Sequence, residues 1–251
     1  LTRDGERFSS PLVRLSTVHR MGASFEVRLS PGTRVGGHYE VHGQLGAGSM
    51  STVYEAHDHA LNRRVALKFS QHPQALAHEA QALAAIASPL VPAVFCTTQH
   101  EGRPVLVMER IYGTTLEALL EQRRASGSRL SIDEILDVLS GLADGLVSVH
   151  RAGVAHRDIK PANIILSPGN RVVLLDFGVV LSAAFAGQAT PVAGTPIYMA
   201  PEQFLGRVEP SKIHLLDTYA LGILGWELLV GHPPFDGEVH EVIGGHVADA
   251  P

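Results

Sequence analysis

Between Tyr39 and Phe69 the chain runs through three short stretches that constrain its fold more than any other part. They are Tyr39-Glu40-Val41-His42-Gly43-Gln44-Leu45, Thr52-Val53-Tyr54-Glu55-Ala56 and Arg64-Val65-Ala66-Leu67-Lys68-Phe69, the first two separated by a glycine-rich turn. β-Branched and aromatic residues in short runs joined by tight turns predict three consecutive antiparallel strands. Residues 74 to 87, rich in Ala and Leu, suit a helix, and Ala93 to Thr98 and Pro104 to Met108 read as two further strands. Then the period changes. Thr115 to Ser126 and Ser131 to Ala152 are helical, the second opening with Ser131 and Glu134 at capping-box spacing. Short strands bracket Ala155 to Asp176, an irregular Gly, Ala and Thr-rich loop follows to about Tyr198, and another helix covers roughly Leu215 to Val230. The expected class is α+β: a small antiparallel sheet with one helix, then a mainly helical second lobe.

Composition narrows the function classes. With 251 residues and 45% apolar content the chain can bury a real core, which excludes wholesale disorder. A net charge of −5 with both signs interspersed offers no basic field for nucleic acid and no polybasic block for an anionic membrane. Cys96 stands alone, so no internal disulfide can form, which fits a reducing compartment such as the cytoplasm. The most apolar stretch, Leu215 to Gly231, is interrupted by Asp217 and Glu227 and reads as a buried helix, so no membrane span is expected. The first residues lack the apolar core of a signal peptide, and Leu1 in place of Met suggests a fragment or an unusual start. Residues 1 to about 33 show no sustained period and read as an extension of uncertain order. Fourteen histidines are present, none in a zinc-binding arrangement, and they read as scattered surface or packing residues.

The chemistry concentrates in a few motifs. His156-Arg157-Asp158-Ile159-Lys160-Pro161-Ala162-Asn163 supplies a carboxylate, a cation and an amide at fixed spacing within one loop. Asp176-Phe177-Gly178 follows the apolar run Val172-Val173-Leu174-Leu175, which places a carboxylate at a strand end, and a hard cation prefers such oxygen ligands. In Gly46-Ala47-Gly48-Ser49-Met50-Ser51-Thr52-Val53 missing side chains let backbone N–H groups approach a phosphate. Val65-Ala66-Leu67-Lys68 is a strand ending in a cation, and Gly194-Thr195-Pro196-Ile197-Tyr198-Met199-Ala200-Pro201-Glu202 closes the irregular loop.

With Leu106-Val107-Met108-Glu109-Arg110-Ile111-Tyr112-Gly113 these make six motifs, and their order along the chain, over about residues 36 to 237, resembles that of the protein kinases, and specifically the bacterial Hanks-type serine/threonine kinases. The resemblance implies a bilobal kinase-like fold, with an N-lobe at about 34–108, a hinge at about 109–113 and a C-lobe at about 114–251 that lacks its last helices. It makes Asp158 the group that orients and accepts the substrate hydroxyl proton. Lys160 neutralises the transferred phosphoryl group, and Lys68 anchors the alpha and beta phosphates. Asn163 and Asp176 become ligands of Mg²⁺, with Mn²⁺ as a substitute. Leu45, Gly46, Gly48, Val53, Ala66 and Ile165 are assigned to the nucleotide, the last lying beneath the adenine. Met108 guards the back pocket, while the carbonyl of Glu109 and the amide of Ile111 meet the adenine edge. Asp217 braces the catalytic loop, and Thr195 contacts Asp158 and Lys160. Thr190 and Ser182 are candidate autophosphorylation sites whose phosphate could pair with Arg157.

Two departures stand out. The family's third loop glycine is Ser51 here, and only eleven positions separate Lys68 from Glu79, its sole acidic candidate on the following helix. So short a connection either locks the ion pair in place or misplaces Glu79. The abrupt His72-Pro73 turn, with Leu83 one helical turn beyond Glu79, favours the first. The arginine that normally pairs with Glu202 lies beyond Pro251, so Glu202 is expected unpaired. The implied activity is transfer of the gamma-phosphoryl group of ATP to protein serine or threonine in signalling, in the cytoplasm or on the cytoplasmic part of a membrane-anchored protein. The alternative is a pseudokinase or scaffold that binds nucleotide with weak or no transfer.

Overall fold

The structure, a computed structural model, describes residues 27–48, 50–169, 171–177, 181–182, 194–206 and 208–248. Thr190 lies outside the described residues, and of Ser182 only the backbone is described.

The N-lobe is a six-stranded antiparallel sheet in the order β1-β2-β3-β4-β6-β5, formed by Arg34–Val35 (β1), Tyr39–Ala47 (β2), Ser51–Asp58 (β3), Arg63–Ser70 (β4), Val94–His100 (β5) and Arg103–Glu109 (β6). Alternation dictates its faces. Along β3 every second residue is buried, so Tyr54 and Ala56 join Val65, Leu67, Phe69, Val105 and Val107 in one apolar cluster. Across the strands Val53 pairs with Lys68, Lys68 with Leu106 and Ala66 with Met108, so these side chains share the opposite face. Packing starts ahead of β1: Val27 is buried in the sheet cluster, and the Tyr54 hydroxyl donates to its carbonyl. Leu29 packs on the same cluster and its amide donates to the Tyr54 hydroxyl at 3.1 Å, and two apolar residues with one tyrosine hydroxyl are too short a signal for any periodicity to display.

Helix α1, Pro73–Ala85, begins with Pro at its first turn, where the missing N–H costs nothing. It turns Leu76 and Leu83 into a larger core that crosses to the C-lobe and includes Leu106, Leu142, Ile164 and Phe177. The chain leaves the sheet at Glu109. At Gly113, with φ +149°, an added Cβ would lie 2.3 Å from the Leu166 carbonyl oxygen, so only glycine fits this crossing.

The C-lobe is built on α2 (Leu116–Ala125), α3 (Ile132–Arg151), α4 (Pro201–Phe204), α5 (His214–Val230) and α6 (Val239–Ala248). The Ser131 hydroxyl accepts the Glu134 N–H at 3.2 Å, and Glu134 accepts the Ser131 N–H at 2.7 Å, so the predicted capping box forms. Three short strands, Thr114–Thr115 (β7), Ile164–Ser167 (β9) and Arg171–Leu174 (β10), form a second sheet, while Val154–Ala155 (β8) pairs with Leu181–Ser182 (β11). Among the described residues, helix α5 belongs to the one segment apolar and long enough by composition to cross a membrane. Half of that window is buried in the fold, and Asp217 within it is fully buried and hydrogen-bonded.

Candidate active site

The loop between β8 and β9 is held from behind by Asp217 of α5. Its carboxylate accepts the amides of His156 at 2.9 Å and Arg157 at 2.8 Å, and His150 of α3 approaches at 2.8 Å. Arg157 takes φ +70°, a conformation costing a non-glycine residue about 1–3 kcal/mol, and the Asp217 contact helps to fix it. His156 is fully buried. Its Nε2 donates to the Leu175 carbonyl at 2.9 Å, its Nδ1 accepts the Asp158 amide at 3.2 Å, and its ring meets Phe177 edge-on at 4.5 Å. It is a packing and tethering residue.

Asp158 is thereby presented at the mouth of the loop. One oxygen accepts both the amide of Thr195 at 2.9 Å and its hydroxyl at 2.8 Å. The other accepts Asn163 Nδ2 at 3.0 Å and faces Lys160 Nζ at 2.8 Å. Lys160 also donates to the Thr195 hydroxyl at 2.7 Å. The loop that carries the candidate base and the loop that follows the irregular segment are therefore one hydrogen-bonded unit.

Across the cleft, Lys68 reaches Glu79 and Asp176, both at 2.6 Å. The short connection thus locks the pair. Burial works against the Lys68 charge, but the two carboxylates outweigh it and hold the ammonium above its usual range. Burial pushes the Glu79 carboxyl up against the pull of Lys68. At Asp176 desolvation also opposes charge, yet Lys68, by its charge and hydrogen bond, and Lys160 hold the carboxyl below the usual range. Of the two acids sharing the ammonium, Asp176 ionises more readily. Its side chain is 49% exposed and its φ is +64°, an unusual conformation that turns the carboxylate out of β10 towards Lys68.

The resulting donor set suits a phosphate chain with a hard divalent cation. Asn163 uses its Nδ2 on the Asp158 carbonyl and carboxylate, which leaves its side-chain oxygen as an acceptor of the kind a hard cation prefers. At Gly46 an added Cβ would meet nothing within 4 Å, and at Gly48 only the Ser51 carbonyl at 4.0 Å. The described packing leaves room for a side chain at both places. Ile165, Ile111 and Val173 form a small apolar cluster at the hinge.

Residues 39–250 match the family model described as the protein kinase domain. The chain belongs to the protein kinase family. It is 35% identical over 221 residues to a probable serine/threonine-protein kinase of Bifidobacterium longum, covering 83% of this chain and 28% of that protein. To one of Streptomyces coelicolor it is 37% identical over 221 residues, covering 82% and 32%. To the serine/threonine-protein kinase PknL of Mycobacterium tuberculosis it is 37% identical over 211 residues, covering 80% and 51%. The chain therefore spans between about a quarter and a half of the length of these bacterial relatives.

Within this kinase fold, the residues singled out in the sequence fall into two groups. Asp158, Lys160 and Asn163 gather with Thr195, and Lys68, Glu79 and Asp176 gather across the cleft. Val53 and Ala66 share the face of Lys68, while Leu45 sits at an irregularity in the β2–β3 pairing and is 40% exposed. No ion pair to Glu202 occurs among the described residues. Sequence reading missed the support around the hinge. Arg171 of β10 grips the Glu109 carboxylate through two nitrogens at 2.6 and 3.1 Å and donates to the Pro89 carbonyl at 2.9 Å. It also missed Glu227, which accepts the Tyr198 hydroxyl at 2.6 Å. Both pairings join residues far apart in sequence and carry no local signal.

Proposed function

We propose that this kinase domain transfers the gamma-phosphoryl group of ATP to serine or threonine hydroxyls of protein substrates, in bacterial signalling. The observation that carries the reading is the paired arrangement of Asp158 with Lys160 and Thr195 on one side and Lys68 with Glu79 and Asp176 on the other. Lys68 binds the alpha and beta phosphates, with Glu79 fixing the amine. Gly46 and Gly48 admit the phosphates under the β2–β3 turn. Leu45, Val53 and Ala66 enclose the adenine from above and Ile165 from below, while the Glu109 carbonyl and Ile111 amide take its hydrogen-bonding edge. Asp176 and Asn163 would hold Mg²⁺ or Mn²⁺, which supplies charge neutralisation between the terminal phosphates. Asp158 orients the acceptor hydroxyl and takes its proton, and Lys160 offsets charge on the transferred group. Catalysis on this reading is positioning and electrostatics.

The acceptor segment would lie along a depression of about 380 Å³ beside Lys160 and Thr195, lined also by Glu117, Glu121, Ile197 and Glu227. The scaffold reading drew on the missing end of the C-lobe and on the short Lys68–Glu79 connection, and the 2.6 Å contact with Lys68 argues against the second of these grounds. To test the proposal, the protein is incubated with Mg²⁺, a generic basic protein and ATP radiolabelled in its gamma-phosphate, and the product is hydrolysed to amino acids. Phosphoserine or phosphothreonine is expected. Phosphotyrosine alone, or nucleotide binding with no transfer by folded protein, contradicts it.

A further inference from the structure

His246 on α6 lies away from the reacting groups, with 5% of its surface exposed. Its ring sits among Phe235 at 4.9 Å, Tyr219 at 5.7 Å and Phe204 at 5.9 Å. Nε2 is 3.0 Å from the Ile197 carbonyl oxygen, and Nδ1 is 2.8 Å from the Tyr219 hydroxyl. A carbonyl can only accept, so Nε2 carries the proton, and in the neutral ring Nδ1 accepts from Tyr219. Desolvation pushes the imidazole pKa below its usual value, which favours that neutral form.

The two ends of this relay matter. Ile197 lies in the turn Pro196–Tyr198, directly after Thr195, whose amide and hydroxyl hold Asp158. Tyr219 follows closely on Asp217 in α5, the residue that holds the amides of His156 and Arg157. One helix thus grips the catalytic loop directly and the following loop through a single imidazole. There is no slack in α6 to absorb a loss: a Cβ added at Gly245 would lie 2.4 Å from the Phe235 ring.

The geometry points to His246 as a positioning residue for the phosphoacceptor: its Nε2–H fixes the Ile197 carbonyl, and with it the turn that presents the acceptor hydroxyl to Asp158. What the turn accepts rests on the kinase reading, whereas the latch itself does not. Two substitutions separate ring from donor. His246→Phe keeps the aromatic packing and loses the N–H, and His246→Gln can return an amide nitrogen to the Nε2 position.

Hydrogen–deuterium exchange over residues 195–200 is measured in both variants, together with the KM for the protein acceptor and for ATP. In His246→Phe the segment is expected to exchange about tenfold faster, the scale of one lost buried hydrogen bond. The acceptor KM should rise while the KM for ATP holds, and His246→Gln should restore both. Tyr219→Phe, which removes the donor to Nδ1, should shift exchange in the same direction by less and serves if His246→Phe does not fold. Wild-type exchange in His246→Phe, or in Tyr219→Phe where that serves instead, overturns the latch; so does a Gln variant as loose as the Phe variant. A loosened segment in a protein whose wild type transfers no phosphate would keep the latch and sink the kinase reading instead.

Discussion

Lys68 holds two carboxylates within 2.6 Å while itself almost wholly buried, so its removal affects both stability and nucleotide binding. Lys68→Met leaves Glu79 buried without its cation, a change that costs about 3–5 kcal/mol when a buried pair is broken from one side. Urea unfolding should show that loss. Adding Glu79→Gln should recover most of it, because the uncompensated charge goes too, while phosphoryl transfer stays abolished in the double variant. Recovery of transfer would mean that Lys68 serves only the fold. The pair was only half legible in the sequence. The residue types and their order named Lys68 and Glu79, but whether a short connection could bring them together depended on where Pro73 starts α1, which only the packed helix shows.

At the scale of elements, the hinge is tied by Arg171 to Glu109, and Glu109 also accepts the Ala93 amide at 3.2 Å. The Arg171 hydrogen bonds hold the Glu109 carboxyl below the usual carboxylate range. A depressed folded pKa contributes stability that is present above the unfolded value, about 4.3, and is lost as pH falls through the folded value. Melting curves of wild type and Arg171→Met should therefore differ near neutral pH and converge below about pH 4. A gap unchanged by acid would place the effect in packing of the arginine stem. Where α3 passes the loop before β5, Gly145 has no room for a side chain, since an added Cβ would sit 2.4 Å from the Leu90 Cβ. Gly145→Ala should lower stability by about 1–3 kcal/mol through overpacking, measurable by thermal unfolding. The strands and helices themselves were readable because alternation and capping are local. The Glu109–Arg171 tether, the Tyr198–Glu227 bond and the His246 relay were not, because each depends on side chains meeting across elements.

In the whole molecule the two lobes share one apolar core, which runs from Leu76 and Leu83 through Phe177 to Leu142 and Leu224. The cleft residues hang on both sides of it, so nucleotide that bridges them should stabilise the fold by mass action, by about 2.7 kcal/mol at a hundredfold excess over Kd. Mg²⁺ with ATP should raise the melting temperature of the wild type, and Asp176→Asn should lose most of that rise. An equal rise in both would remove Asp176 from the nucleotide site. The bilobal α+β class was legible because the change from alternating strands to helical periods falls within one chain, and the site because its motifs are contiguous. The early packing of Val27 and Leu29 was not, since two apolar residues make no pattern.

On the proposed mechanism Asp158, held by Thr195, Lys160 and Asn163, accepts the proton of a serine or threonine hydroxyl during transfer from ATP. Single-turnover incorporation of gamma-labelled phosphate should be compared between the wild type and Asp158→Asn, after both are shown to melt cooperatively and to bind ATP alike. The account predicts that the variant transfers about 10²–10⁴-fold more slowly, the usual contribution of a positioned general base. Equal rates in two folded, nucleotide-binding proteins would contradict it.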